Sequence, residues 1–122
     1  WGMSLAEIMT CIREDIPVTA VVFNNGQWGA EKKNQIDYYD NRFVGTNLQN
    51  PSFAEIACAM GAHGITVDQP GEVGNALREA VSSKRATVLE LMVTQDLAEP
   101  FRRDALSKPV RLLNKYRSYT VK

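Results

Sequence analysis

The spacing of apolar and polar residues predicts four helices and three strands. Near the N-terminus, apolar residues recur at helical spacing: Leu5, Ile8, Met9 and Ile12. The preceding sequence Ser4-Leu5-Ala6-Glu7 matches a capping box, and Pro17 prevents the helix from continuing. The run 18–23 that follows is almost entirely apolar, which predicts a parallel strand covered on both faces.

A second helix is predicted after this strand, and it is mostly polar. It should begin near Trp28 and run through Gln35, with few apolar residues to form a buried face. Residues 36–51 show no sustained period, and a connection of this length in a compact domain is usually functional. Ser52-Phe53-Ala54-Glu55 then repeats the capping-box pattern and opens a third helix, which Gly61 ends.

Two further strands flank the last predicted helix. Residues 64–67 and the apolar run 87–93 are predicted to be strands, and the helix between them begins at Pro70. Helices and strands therefore alternate along the chain, which is typical of a parallel sheet with right-handed crossover connections. We predict an α/β fold in which helices flank a parallel sheet.

Composition and charge fit one globular domain and exclude several other classes of protein. The chain has 122 residues, of which 44% are hydrophobic and 23% charged, and its formal net charge is zero. A net charge of zero gives no overall electrostatic attraction to nucleic acid or to a membrane surface. No apolar run approaches the roughly 20 residues that span a bilayer. We therefore expect a cytoplasmic protein that binds neither nucleic acid nor membrane.

The two ends of the chain differ from the rest of it. Residues 102–122 hold seven basic side chains against one acidic one. We therefore divide the chain into the bulk of an α/β domain, residues 1–99, and a basic C-terminal tail, residues 100–122. At the other end, Trp1-Gly2-Met3 leads almost directly into a helix. We interpret the chain as a fragment of a longer protein; the alternative is initiation at Met3 after a leftover tag.

The polar residues Asn24-Asn25-Gly26 directly follow the first predicted strand. Ligands of α/β sheets bind at the carboxyl ends of the strands. A carboxamide oxygen and a free backbone carbonyl at such a position are hard ligands of the kind that Mg²⁺ accepts alongside phosphate oxygens. The alternative is an ordinary turn, since Asn-Gly is a common turn dipeptide. Glu90 alternates with leucines in the last strand, where we expect it either to make a structural hydrogen bond or to lie at the rim of the site.

An apolar strand that ends in Asn-Asn, after an amphipathic helix and a Pro-Val step, resembles the second half of the cofactor motif of thiamine-diphosphate-dependent enzymes. Four stretches are similar to the acetolactate-synthase-like branch of that family: 1–8, 22–35, 50–57 and 100–105. The resemblance implies that the chain is the C-terminal part of the diphosphate-binding domain, with thiamine diphosphate and Mg²⁺ as cofactors.

The same resemblance implies roles for individual residues. Asn25 would bind Mg²⁺ through its side-chain oxygen, and Gln27 would bind it through its backbone carbonyl. Cofactor contacts are implied for Asn24, Asn25, Gln27, Trp28, Gly29 and Ala30. The third metal ligand, which is the aspartate of a Gly-Asp-Gly turn, would lie outside this chain, as would the glutamate that activates the cofactor. No catalytic residue is therefore expected within these 122 residues.

The reaction implied by the resemblance is an acyl transfer between small molecules. A sulfonated aldehyde would lose sulfite and inorganic phosphate would accept the acetyl group, in an enzyme that works as a homo-oligomer. The side chains implied as candidates for binding these anions are Lys33, Asn34, Arg102 and Arg103. Two alternatives stay open: another family member of the acetolactate-synthase or oxalyl-CoA type, or a non-catalytic α/β module whose basic tail binds an anionic partner.

Overall fold

Helices and strands alternate along the chain in the predicted order. A computed structural model describes residues 1–97, so the predicted basic tail lies outside the described residues. The elements are α1 Glu7–Arg13, β1 Thr19–Asn24, α2 Gly29–Tyr38, α3 Phe53–Ala59, β2 His63–Val67, α4 Val73–Ser82 and β3 Thr87–Met92. Short 3-10 turns precede α1 and α4. No helix within this part of the chain combines the length and the apolar character needed to cross a membrane.

The three strands form one parallel sheet in the order β1-β3-β2. In its register, Glu90 of β3 lies between Val22 of β1 and Thr66 of β2. β3 is the central strand, and its first five residues are all buried. Burial of this kind is expected where helices cover both faces of a parallel strand. The predicted α/β fold with a parallel sheet is therefore confirmed.

Apolar side chains pack on both sides of the sheet. The cluster beneath α1 and α3 consists of Ile8, Val22, Ala57, Ala62, Ala86 and Val88. The cluster beneath α4 consists of Val67, Ala76, Leu89 and Leu91. Successive side chains of a strand point to opposite faces. Glu90 therefore shares a face with Val88, on the side that α3 covers.

β1 is not covered on both faces, and that prediction is wrong for the described residues. Val22 is buried, but its neighbours Val21 and Phe23 are 41% and 71% exposed. The reason is the strand order. α4 packs over β2 and β3, and in residues 1–97 no helix covers the same face of β1. The strand with both faces buried is β3.

Of the two predicted capping boxes, the first is wrong and the second is present as a serine N-cap. Ser4 is itself part of a 3-10 turn, and α1 begins at Glu7 with Ala6 as its N-cap and no side-chain cap bond. An N-cap residue needs a non-helical backbone to turn its side chain toward the first helical turn. Ser52 meets this condition, because its backbone is extended and its Oγ accepts a hydrogen bond from the N–H of Glu55 at 3.2 Å.

Candidate cofactor site

The chain leaves β1 through a turn that two asparagine side chains stabilise. Asn24 Oδ1 accepts a hydrogen bond from the N–H of Gly26 at 3.0 Å, and Asn25 Oδ1 accepts one from the N–H of Gln27 at 3.2 Å. Gly26 has a φ of +65°, which glycine adopts without steric cost. Asn24-Asn25-Gly26 is thus a turn, as the alternative interpretation held. Whether it is also a binding site depends on the groups that the turn leaves available.

The side chain of Asn24 is hydrogen-bonded to a buried carboxylate, that of Glu90. Its Nδ2 donates a hydrogen bond to Glu90 Oε1 at 2.7 Å, while Glu90 Oε2 accepts hydrogen bonds from Ser52 Oγ at 2.8 Å and from the N–H of Ala54 at 3.1 Å. Glu90 is 1% exposed and Asn24 is 9% exposed. The structural hydrogen-bonding role predicted for Glu90 is confirmed. Glu90 connects the turn after β1 to the start of α3.

The pKa of Glu90 reflects two opposing effects. Burial disfavours the charged form and by itself raises the pKa. The hydrogen bonds from Asn24, from the backbone of Ala54 and from Ser52 favour the carboxylate, and together they outweigh burial. The pKa of Glu90 consequently lies below its ordinary value, and the group is ionised at neutral pH.

Gln27 is buried at the other end of the turn. It is 5% exposed, and its Nε2 donates a hydrogen bond to the carbonyl of Gln95 at 2.7 Å. Its Oε1 accepts a hydrogen bond from Lys32 Nζ at 2.9 Å. Both ends of the side chain are therefore occupied. Among residues 1–97, no hydrogen bond reaches the backbone carbonyl of Gln27.

Part of the aperiodic connection 36–51 packs along this turn. Gln27 and Asn47 form an antiparallel bridge. Gln35 of α2 holds the same segment through two hydrogen bonds to the backbone of Val44, donating from Nε2 at 3.1 Å and accepting at Oε1 at 2.9 Å. The sequence of the connection shows no helical or strand period, because individual contacts hold it in place instead of a regular helix or strand.

A cleft of about 250 Å³ opens at the carboxyl ends of β1 and β3. It is lined by residues 24–26 of the turn, by residues 48–50, and by residues 92, 93 and 95 after β3. Two neighbouring parallel strands end at the same edge of a sheet, so the turn after β1 and the segment after β3 meet there. The cleft therefore lies where the sequence predicted a ligand.

The oxygen donors beside the cleft suit Mg²⁺. Asn25 Oδ1 accepts one hydrogen bond and keeps a second lone pair, and the backbone carbonyl of Gln27 accepts none among the described residues. Both are neutral hard oxygens, which Mg²⁺ binds together with water and phosphate oxygens. Within residues 1–97, no group of three His, Cys, Asp or Glu side chains could hold a metal ion. These two donors have the ligand chemistry that the family resemblance implies, and their binding of Mg²⁺ stays a prediction.

The other cofactor candidates lie at the start of α2. Trp28 is the N-cap residue and is 46% exposed, and Ala30 is exposed in the first turn. A methyl group added at Gly29 would lie 3.5 Å from Asn25 Nδ2 and 3.6 Å from Leu97 Cδ2, which are ordinary contact distances. The described residues therefore leave room for a side chain at position 29. Contact of these three residues with a cofactor remains a prediction.

Two of the four anion-binding candidates, Lys33 and Asn34, lie in the described residues, and both are on α2. Lys33 Nζ pairs with Asp37 Oδ1 on the same helix at 2.6 Å, and its side chain is 18% exposed. Asn34 is partly buried on α2. Arg102 and Arg103 lie outside the described residues.

Two residues of the site were missed by the sequence analysis. Lys32, which was not distinguished from Lys33, contacts Gln27 and Asn47. Gln95, in the segment after β3, contacts Gln27 and lines the cleft. Gln95 could have been found from topology, because it follows a strand next to β1. No sequence signal separates the two lysines.

Comparisons with known proteins agree with this geometry. The family model described as "Thiamine pyrophosphate enzyme, C-terminal TPP binding domain" matches residues 1–91. The sulfoacetaldehyde acetyltransferase of Castellaniella defragrans is 62% identical over 98% of this chain, and that of Alcaligenes xylosoxydans xylosoxydans is 58% identical over 98%. The crystal structure of benzoylformate decarboxylase from Polynucleobacter necessarius superposes with a TM-score of 0.71 and 26% identity over 80% of this chain.

The chain covers only part of each of these proteins. It spans 21% of the first acetyltransferase, 20% of the second and 18% of the decarboxylase chain. The similarity therefore concerns one portion of longer enzymes, and it is the portion that contains the turn after β1 and the cleft.

Proposed function

The chain belongs to the thiamine pyrophosphate enzymes, whose C-terminal cofactor-binding domain it matches, and we propose that it is part of a sulfoacetaldehyde acetyltransferase. The proposed reaction converts sulfoacetaldehyde and phosphate into acetyl phosphate and sulfite. The observation that carries the proposal is the cleft at the carboxyl ends of β1 and β3, which Asn25 lines, together with the carbonyl of Gln27, which accepts no hydrogen bond among the described residues. The choice of substrate is supported by the identity with the acetyltransferases.

In this proposal the described residues hold and orient the cofactor. Asn25 Oδ1 and the Gln27 carbonyl bind Mg²⁺, and Asn24, Trp28, Gly29 and Ala30 lie against thiamine diphosphate. When bound, the cofactor would supply a nucleophilic carbon and, in its thiazolium ring, an electron sink. Residues 1–99 serve as part of the cofactor-binding domain and residues 100–122 as a basic tail. The enzyme works as a homo-oligomer in the cytoplasm.

Substrate binding in this proposal depends on small and polar side chains near the start of α2. Ala30 and Asn34 leave space and hydrogen-bonding groups for a sulfonate. Lys33, Arg102 and Arg103 supply positive charge for the sulfonate or for phosphate. Because Lys33 is already paired with Asp37, it would have to exchange that partner for the anion.

The proposed reaction can be tested directly on the full-length protein. With thiamine diphosphate and Mg²⁺ present, sulfoacetaldehyde and phosphate are expected to give equal amounts of sulfite and acetyl phosphate. Omitting phosphate should abolish acetyl phosphate formation. Turnover of pyruvate to acetolactate in place of this reaction would favour the acetolactate-synthase alternative, and binding of an anionic partner without any turnover would favour a non-catalytic module.

Asn25→Ala removes one of the two proposed metal ligands. We expect the dissociation constant for Mg²⁺, measured by calorimetry on the full-length protein at saturating thiamine diphosphate, to rise roughly 100-fold, because even residues that only support a metal ligand contribute 10- to 100-fold. Asn75→Ala, at an exposed position on α4, is the matched control and should leave the constant unchanged. Equal affinities for the Asn25→Ala variant and the unmodified protein would contradict the ligand assignment.

A further inference from the structure

We propose that Lys32 is a positioning residue for the proposed metal ligand Gln27, acting through the side chain of Gln27. The inference rests on the proposed function, because it concerns how the chain holds Gln27 as a ligand. Lys32 Nζ donates hydrogen bonds to Gln27 Oε1 at 2.9 Å and to Asn47 Oδ1 at 3.1 Å, and it lies 5.7 Å from the centre of the Phe43 ring. One ammonium group thus connects α2, the turn after β1 and the connection that packs along it.

The ammonium groups of Lys32 and its neighbour Lys33 have different partners. Lys33 pairs with Asp37, whereas no carboxylate in residues 1–97 lies within ion-pair distance of Lys32. Lys32 is partly buried and is satisfied by two carboxamide oxygens and an aromatic face. A hydrogen bond from an ionised donor is shorter and stronger than one between neutral groups. The ammonium group therefore restrains its two acceptors more firmly than a neutral side chain would.

Gln27 is the residue on which this restraint matters. Its side chain is held at both ends, by Lys32 at Oε1 and by the Gln95 carbonyl at Nε2. With the side chain fixed and the backbone bridged to Asn47, the Gln27 peptide has little freedom to rotate. Its carbonyl stays without a hydrogen-bond partner among the described residues, which leaves it available as a ligand. Residues that orient a metal ligand affect metal affinity nearly as much as ligands do.

The inference is tested by Mg²⁺ binding to the full-length protein at saturating thiamine diphosphate, followed by calorimetry. Lys32→Met keeps the apolar stem but removes all donors, and we expect it to raise the dissociation constant for Mg²⁺ about tenfold. Lys84→Met, at an exposed position in the turn before β3 and away from the cleft, is the matched control and should leave the constant unchanged. Lys32→Arg restores a cationic donor and should recover part of the lost affinity, although arginine does not reproduce the geometry of lysine.

A double-mutant cycle separates positioning from general damage to the fold. Gln27→Met removes the side-chain amide but keeps the backbone carbonyl. If Lys32 acts through that amide, Lys32→Met should add little to the loss of Mg²⁺ affinity in the Gln27→Met variant. Additive losses, or a Lys32→Met variant that binds like the original, would overturn the inference and leave the proposed function standing. A full-length protein that binds neither Mg²⁺ nor thiamine diphosphate would overturn both.

Discussion

Gly64→Ala is expected to lower the free energy of unfolding by about 3 kcal/mol, at the upper end of the cost of overpacking. A Cβ at this position of β2 would lie 2.1 Å from the backbone oxygen of Ala54, 2.7 Å from its carbonyl carbon and 2.9 Å from Cys58 Sγ. The first two atoms belong to the backbone of α3, so no side-chain rotation relieves the clash. α3 would have to move away from the sheet.

The consequence reaches the candidate cofactor site. Ala54 also donates its N–H to Glu90, which holds Asn24. Thermal unfolding of the full-length protein, followed by circular dichroism, measures the loss of stability. Gly71→Ala is the matched control, because an added Cβ there meets no atom within 4 Å. If both variants unfold at the same temperature, α3 does not pack against β2 as closely as described.

Glu90→Gln is expected to lower the free energy of unfolding by about 1.5–3 kcal/mol, the range for hydrogen bonds to a charged group. The carboxylate accepts from three donors: Asn24 Nδ2, Ser52 Oγ and the N–H of Ala54. In a glutamine, one of the two carboxylate oxygens is replaced by an NH₂ group. This NH₂ group would face a hydrogen-bond donor in place of an acceptor. Rotating the Asn24 amide does not help, since its oxygen already accepts from the N–H of Gly26.

The measurement is again thermal unfolding, combined with hydrogen exchange of the backbone amides of the turn after β1. Because Asn24 loses its anchor, the Gly26 and Gln27 amides should exchange faster in the Glu90→Gln variant. Glu55→Gln, at an exposed position of α3, should change stability by less than about 0.5 kcal/mol. A Glu90→Gln variant as stable as the Glu55→Gln control would mean that the carboxylate is not essential to this network.

The same carboxylate predicts a pH dependence with a definite sign. The pKa of Glu90 is lower in the folded protein than in an unfolded chain, where the pKa of glutamate is about 4.3. Its contribution to stability is therefore complete above that value and is lost as the pH falls through the lower, folded pKa. The difference in melting temperature between the original protein and the Glu90→Gln variant should narrow below about pH 4. A constant difference down to about pH 3 would contradict this prediction.

The order of the elements could be predicted because it depends on local spacing of apolar residues. Helical periods around Ile8 and Ile56, and apolar runs at 18–23 and 87–93, are visible within short windows. The position of each strand in the sheet was not predictable in this way. The first apolar run suggested a strand covered on both faces, yet Phe23 is 71% exposed. Which strand is central depends on pairing between segments more than 60 residues apart, such as Val22 and Glu90.

In the candidate site, too, some residues were predictable from the local sequence and others depend on the tertiary structure. Asn25 and Gln27 were identified from a contiguous motif, and the structure places Asn25 at a cleft and leaves the Gln27 carbonyl available. Lys32 and Lys33 could not be told apart, although consecutive residues of a helix point about 100° away from each other. Only the position of the turn beside α2 decides that Lys32 contacts Gln27 while Lys33 pairs with Asp37.

The sequence by itself therefore determined the α/β alternation, the turn at Asn24-Asn25-Gly26 and the cofactor family, since each depends on residues close together in the chain. The tertiary structure decided what surrounds that turn. In the folded chain Glu90 accepts a hydrogen bond from Asn24, and Lys32 donates one to Gln27. Gly64 packs directly against the backbone of α3. These contacts join separate elements, and their distances follow from how the helices pack on the sheet rather than from any local pattern.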